Sequence, residues 1–366
     1  MTRLHDLFDR QDQSPWLDNL RRGWISGGEL QSWIDQGVRG ITSNPSIFQK
    51  AMSTGDDYDI ELASLTSGGS SIEDSYWTLV VADIHGALDL LRPLYDASNA
   101  LDGYVSVEVD PTLARDTAGT LASARALWAR IDRPNVYIKV PATAEGVPAI
   151  RALIAEGINV NVTLIFGLDR YDDVIRAYLD GLRDRAAAGR EIDRVSSVAS
   201  FFVSRVDSEV DRRLNQIGTD EAGALKGKAA VANAKRAYRL FEKRFAGAEW
   251  DALVAAGAQV QRPLWASTST KDPTYIDTLY VDELIGPHTV NTLPDATLAA
   301  FVEHGTVART VDVGLAESDS VIEALRALGV DIDDVTKVLE DEGVAAFVKS
   351  FDELLGTLKQ KVADQS

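Results

Sequence analysis

The chain contains no cysteine, which excludes a disulfide framework, a thiol nucleophile and any thiolate-held metal. Covalent chemistry must therefore run through another side chain. Histidine is scarce too: His5, His85, His288 and His304 are the four. Their spacing makes no ligand cluster, so we place no metal. Positive charge is in deficit. Thirty-seven lysines and arginines face 56 aspartates and glutamates, a formal net charge of −19, which repels a nucleic-acid backbone or an acidic membrane at long range. A small phosphorylated ligand stays compatible, because a few local cations dominate at close range. No apolar run is long enough to span a bilayer, and the opening MTRLHDLFDRQ has no apolar signal core, so a cytoplasmic protein is expected.

What is present is an ordinary globular composition, 45% hydrophobic and 25% charged, enough to build one large core. Short β-like segments at 16–18, 38–41, 104–109, 136–140, 158–164, 195–199, 263–267 and 289–293 alternate with longer helical periodicities such as 111–131, 146–156, 168–188 and 226–245. Eight strands with intervening helices predict a closed (β/α)8 TIM barrel, an α/β fold, in preference to an open doubly wound sheet. No glycine-rich nucleotide loop of either common kind occurs, which removes the usual reason to prefer the open sheet. Residues 66–71 read as a surface turn before a long helix. We expect a single domain over 1–366, with 295–366 a mostly helical extension packed on the barrel and the acidic run 331–334 a solvated helix start. The oligomeric state stays open, a homodimer being compatible.

Several strands carry polar residues at alternate positions, and alternation puts those side chains on one face. Ser106 and Glu108 share a face of 104–109, and Asn159, Asn161 and Thr163 share one of 158–164. With the apolar set against the helices, the polar set faces the barrel interior near its mouth, where buried polar groups must form a connected site. Lys139, inside Val-Tyr-Ile-Lys-Val-Pro, is the sharpest case. Burial there disfavours the ammonium and supplies the neutral amine that attacks carbonyls. A strand-end lysine that snorkels to water, or pairs structurally with a carboxylate, is the alternative. Glu108 on the preceding strand could shuttle protons for carbinolamine formation and dehydration. Asp18 is either a base on a substrate hydroxyl or a loop or capping aspartate. Thr42 and Asn44 lie in a β-to-α turn, with Pro45 restricting Asn44.

In order along the chain, WLDNL, GITSNPSIF, VSVEVDP, VYIKVPAT, INVNVTLIF and VASFFVSRVD resemble the transaldolase family of Schiff-base-forming class I aldolases. The resemblance runs from Trp16 to about Pro294 and implies the same eight-stranded barrel. It implies that Lys139 attacks the C2 carbonyl of a ketose phosphate, sedoheptulose 7-phosphate or fructose 6-phosphate. Asp18 would take the C4 hydroxyl proton as the C3–C4 bond breaks, and Glu108 with Thr163 would hold the catalytic water. Thr42, Asn44, Ser106, Asn161 and Ser200 would bind the dihydroxyacetone hydroxyls or order the site. An aldose phosphate, erythrose 4-phosphate or glyceraldehyde 3-phosphate, would accept the three-carbon unit, as in the non-oxidative pentose phosphate pathway. No cofactor is implied, since the iminium is the electron sink. Arg205 resembles the family's phosphate-binding arginine, its other reading being an ion pair with Asp207 or Glu209. The next strand departs from the usual serine, one residue, arginine: here Ser267-Thr268-Ser269 is followed by Lys271, which could replace the missing charge. A smaller relative, fructose 6-phosphate aldolase, is the nearest rival. Chain length, Glu108, and Phe202 where that relative leads us to expect tyrosine all favour the transferase.

Overall fold

In a computed structural model, residues 1–364 are described. Eight strands form the core: β1 Gln13–Leu17, β2 Gly40–Thr42, β3 Tyr104–Glu108, β4 Val136–Pro141, β5 Val160–Ile165, β6 Ser197–Phe202, β7 Arg262–Ala266 and β8 Thr289–Leu293. Each pairs in parallel with the next and β8 returns to β1, closing the barrel. Every strand residue is buried, because helices cover the outside while side chains fill the inside. The expected (β/α)8 architecture is what the chain adopts.

The expected boundaries differ in instructive places. β1 starts at Gln13, ahead of the 16–18 segment, since its polar residues find partners inside: Gln13 Nε2 donates to Leu284 O at 2.7 Å and Ser14 Oγ to Asp102 Oδ2 at 2.7 Å. β6 runs on to Phe202. The periodicity at 111–131 divides into a 3-10 turn, Pro111–Leu113, and a helix, Thr117–Ile131. The first ends at Leu113 with Ala114 as its cap, and Asp116 caps the second, accepting from Gly119 N at 3.0 Å. The C-terminal extension folds as helices Asp295–His304, Leu315–Ala327 and Ile332–Asp364. Its last two residues, Gln365 and Ser366, lie outside the described residues. No helix of the described residues is long and apolar enough to cross a membrane.

At the N-terminal end of the strands a buried carboxylate ties the barrel floor together. Asp102 accepts from Arg39 Nε at 2.7 Å, Arg262 Nη2 at 3.0 Å, Ser14 Oγ at 2.7 Å and Trp16 Nε1 at 3.2 Å. Burial pushes this carboxyl up, but the two guanidinium groups outweigh it and hold Asp102 below the ordinary carboxylate range. Above it the Trp16 ring lies against Gly40, where an added Cβ would stand 2.4 Å from the indole. Glycine is therefore required for the tryptophan to fill the interior.

Candidate active site

The strand register sets the chemistry at the opposite end. Glu108 pairs with Lys139, and Lys139 with Asn161, so three inward polar residues from adjacent strands sit at one level. Thr163 follows one layer higher, opposite Pro141. Just beyond it β5 bulges, with Leu164 in the left-handed region at φ 60°. A bulge at a barrel rim bends the strand and re-aims its side chains.

Lys139 is 4% exposed, which removes the reading of an amine snorkelling to water. Its Nζ donates to Ser43 O at 3.2 Å and stands 3.5 Å from Glu108 Oε2. Burial pushes the Glu108 carboxyl from its ordinary 4.5 up to about 7, against the pull of Lys139. Such a group both accepts and donates a proton near neutrality. Glu108 accepts no close hydrogen bond from any described residue, and Thr163 Oγ1 is likewise buried without a partner. Buried polar atoms without partners are costly. These two are groups that a water or a substrate hydroxyl would satisfy.

Asp18 follows the end of β1, its backbone N–H continuing the ladder to Leu293 O at 2.8 Å. It caps no helix. Its Oδ1 accepts from Thr42 Oγ1 at 2.7 Å, and Thr42 Oγ1 lies 2.6 Å from Thr292 Oγ1. Burial raises its pKa above the ordinary value for aspartate, with Lys139 and the Thr42 hydrogen bond opposing. The side chain still reaches a cavity of about 120 Å³, whose lining includes Thr42, Asn44, Lys139, Ser200, Arg205, Ser267 and Lys271. Asn44 Oδ1 also caps the helix Pro45–Ser53, accepting from Ile47 N at 3.0 Å.

Ser106 and Asn161 lie beneath this cavity and do not line it. Asn161 Nδ2 donates to Ser106 Oγ at 2.9 Å, and Ser200 Oγ donates to Asn161 Oδ1 at 2.7 Å. This chain across β3, β5 and β6 orients Ser200, so of their two expected roles the geometry offers ordering.

Arg205, at the start of the helix Ser204–Ile217, is half-buried and forms no ion pair among the described residues. The alternative partners are engaged elsewhere: Asp207 accepts from Ala230 N and Tyr280 Oη, and Glu209 from Arg212 and Arg213. Burial pulls the Arg205 guanidinium down. Lys271 donates to Ser269 Oγ at 2.7 Å, and desolvation and then Arg205 lower its pKa. Two cations that repel each other across a cavity wall are eased by an anion between them. Ser267 adopts φ 56°, and its Oγ lies 2.9 Å from Ser204 Oγ.

Three neighbours were not foreseen. Thr292 and the Ser43 carbonyl lie in segments already read as a strand and a turn, where polar alternation and the turn motif were available signals. Phe347, from the C-terminal helix, also lines the cavity. Nothing local in its sequence points there. The four histidines are scattered over separate partners: Thr2, Ile131 O, Asp12 and Asp277.

Residues 15–358 match the family described as transaldolase/fructose-6-phosphate aldolase. The chain belongs to that family. It is 54% identical over 349 residues to a transaldolase of Parafrankia sp. (strain EAN1pec), covering 95% of each chain. It is 53% identical over 352 residues to that of Thermobifida fusca (strain YX), again over 95% of each. With the transaldolase of Frankia alni it shares 52% over 349 residues, 95% of this chain and 94% of the other. The chain is accordingly an enzyme, a transferase, and the family's chemistry runs through a Schiff base.

Proposed function

We propose that the enzyme moves a dihydroxyacetone unit from sedoheptulose 7-phosphate or fructose 6-phosphate to glyceraldehyde 3-phosphate or erythrose 4-phosphate, with Lys139 as the covalent residue. The observation that carries this reading is the Lys139 amine, buried, facing the cavity and 3.5 Å from a carboxyl poised near neutrality.

Neutral Lys139 Nζ adds to C2 of the ketose. Glu108, through water held with Thr163, protonates the departing oxygen, and loss of that oxygen as water leaves the iminium. Asp18 takes the C4 hydroxyl proton, the C3–C4 bond breaks, and its electron pair moves into the iminium to give an enamine. The aldose phosphate departs. The acceptor aldehyde then receives the enamine carbon, and hydrolysis returns the amine. Arg205 and Lys271, facing the same cavity, hold the phosphate; the planar guanidinium fork gives the stronger and better oriented contact. Thr42, Asn44, Ser200 and Ser267 bind hydroxyls or the phosphate edge, over the layer of Ser106 and Asn161.

Borohydride reduction with fructose 6-phosphate tests this directly. The expected result is a three-carbon adduct on the Lys139 peptide, read by mass, and none in Lys139→Ala. An adduct on another lysine overturns the assignment. Steady release of dihydroxyacetone without an acceptor assigns the chain to the aldolase branch of its family.

A further inference from the structure

Part of the cavity wall beside Lys139 comes from outside the barrel. Phe347 belongs to the helix Ile332–Asp364 and is 4% exposed, with Lys139 Nζ 5.7 Å from its ring centroid. That distance is near the ~6 Å limit of a useful cation–π attraction, so the ring acts chiefly as an apolar cover and only weakly as a cation partner.

The helix is fixed on both sides of this residue. On the N-terminal side Asp334 pairs with Arg213 at 2.6 Å, Glu340 with Arg170 at 3.2 Å, and Asp341 with Arg115. On the C-terminal side Ser350 Oγ lies 2.7 Å from Ser46 Oγ, and Lys361 pairs with Asp59 at 2.6 Å. Gly343, one turn before Phe347 and on the same face, lets the helix press onto β5: a Cβ there would stand 2.9 Å from Leu164 Cδ2. The ring is thus held over the amine from several independent points.

We propose that Phe347 is a specificity-determining positioning residue, an apolar roof that favours transfer of the three-carbon unit over its release. This rests on the reading of Lys139 as the Schiff-base residue. Once the aldose phosphate has left, the enamine has two fates. Its nucleophilic carbon forms a carbon–carbon bond with the acceptor aldehyde, or it takes a proton. In the second case the resulting iminium adds water at C2, the carbon–nitrogen bond breaks, and free dihydroxyacetone and the lysine amine are regenerated with one water consumed. Release requires a proton on carbon and then a water, and an apolar cover limits the access of both. The acceptor brings its own electrophile and needs neither before the new bond forms.

The test measures free dihydroxyacetone and transfer product from fructose 6-phosphate and erythrose 4-phosphate, with borohydride trapping run in parallel. Phe347→Ala is expected to raise the ratio of release to transfer on the order of tenfold, a small change in barrier, while Phe347→Leu stays within about twofold of native. Both should still trap on Lys139. If the alanine variant lacks a cooperative melt, Phe347→Val and Phe347→Thr replace it. They match in volume and differ in polarity, and threonine should release more. An unchanged ratio with trapping intact, or equal ratios for valine and threonine, overturns the role of Phe347 alone. Native protein that traps nothing on Lys139 removes the underlying reading instead.

Discussion

Replacing Glu108 by glutamine tests whether burial or the neighbouring ammonium governs the proton at the barrel mouth. The folded chain holds this carboxyl at about 7 against an ordinary 4.5. Between those values the folded state keeps a proton that the unfolded chain has already lost. Stability falls with pH wherever the unfolded state binds fewer protons. The contribution is therefore fully present below pH 4.5 and is lost as pH rises through about 7. At ~1.4 kcal/mol for each pH unit the gap is worth about 3 kcal/mol, and with the side chain only 2% exposed little of it is screened. Glutamine does not titrate, so its stability curve supplies the reference. Urea unfolding followed by tryptophan fluorescence, at steps from about pH 4 to about pH 8, should show the native protein losing about 3 kcal/mol relative to Glu108→Gln. A difference that stays flat would mean the carboxyl titrates alike in both states. One that runs the other way would mean that attraction to Lys139 outweighs desolvation, and would refute the reasoning.

Asp18→Asn should keep the fold and lose turnover by about a hundredfold or more, with the adduct on Lys139 still trapped from dihydroxyacetone; native turnover would remove Asp18 as the base. In the native enzyme, the acid limb governed by Asp18 should lie above the ordinary aspartate value, because its pKa is raised. Arg205→Ala should raise KM for phosphorylated donors by roughly 10- to 100-fold, the worth of a charged hydrogen bond, and leave KM for fructose unchanged. Equal effects on both donors would mean the guanidinium does not read the phosphate. Asp102→Ala strands Arg262, 5% exposed, as an unpaired cation on the barrel floor and should cost about 3–5 kcal/mol of stability by denaturant titration; a loss under about 1 kcal/mol would mean that water reaches the site.

The strands that carry the chemistry were the most legible part of the sequence. In β3 and β5, polar and apolar residues alternate cleanly, so the interior face could be read directly, and the count of eight strands implied closure. Closure in turn made Glu108 and Lys139 neighbours, which the register Glu108↔Lys139 expresses. Legibility failed where a residue's partner is remote. Gln13 and Ser14 look unlike strand residues until Leu284 and Asp102 are seen to satisfy them. Arg262 fell just outside the expected seventh strand, so its pairing with Asp102 could not be anticipated. Phe347 lies more than two hundred residues from Lys139 in sequence, on a helix whose periodicity says only that one face is buried, not against what.

The two ends of the barrel show what separates a structural charge cluster from a reactive one. Both are buried and both place carboxylates beside cations. On the floor, Asp102 receives four hydrogen bonds, two on each carboxylate oxygen, and its pKa is held below the ordinary value. At the mouth, Glu108 and Thr163 keep polar atoms without hydrogen-bond partners, Glu108 meeting Lys139 only as an ion pair at 3.5 Å, Asp18 has a single side-chain donor, and Arg205 has no carboxylate within ion-pair distance among the described residues. Leaving such groups underpaired costs stability, and the cost is offset when a substrate supplies the missing partners. A phosphate for Arg205, a hydroxyl for Asp18 and a water for Glu108 and Thr163 would complete the set. The same physics that makes the floor rigid without a ligand makes the mouth incomplete without one.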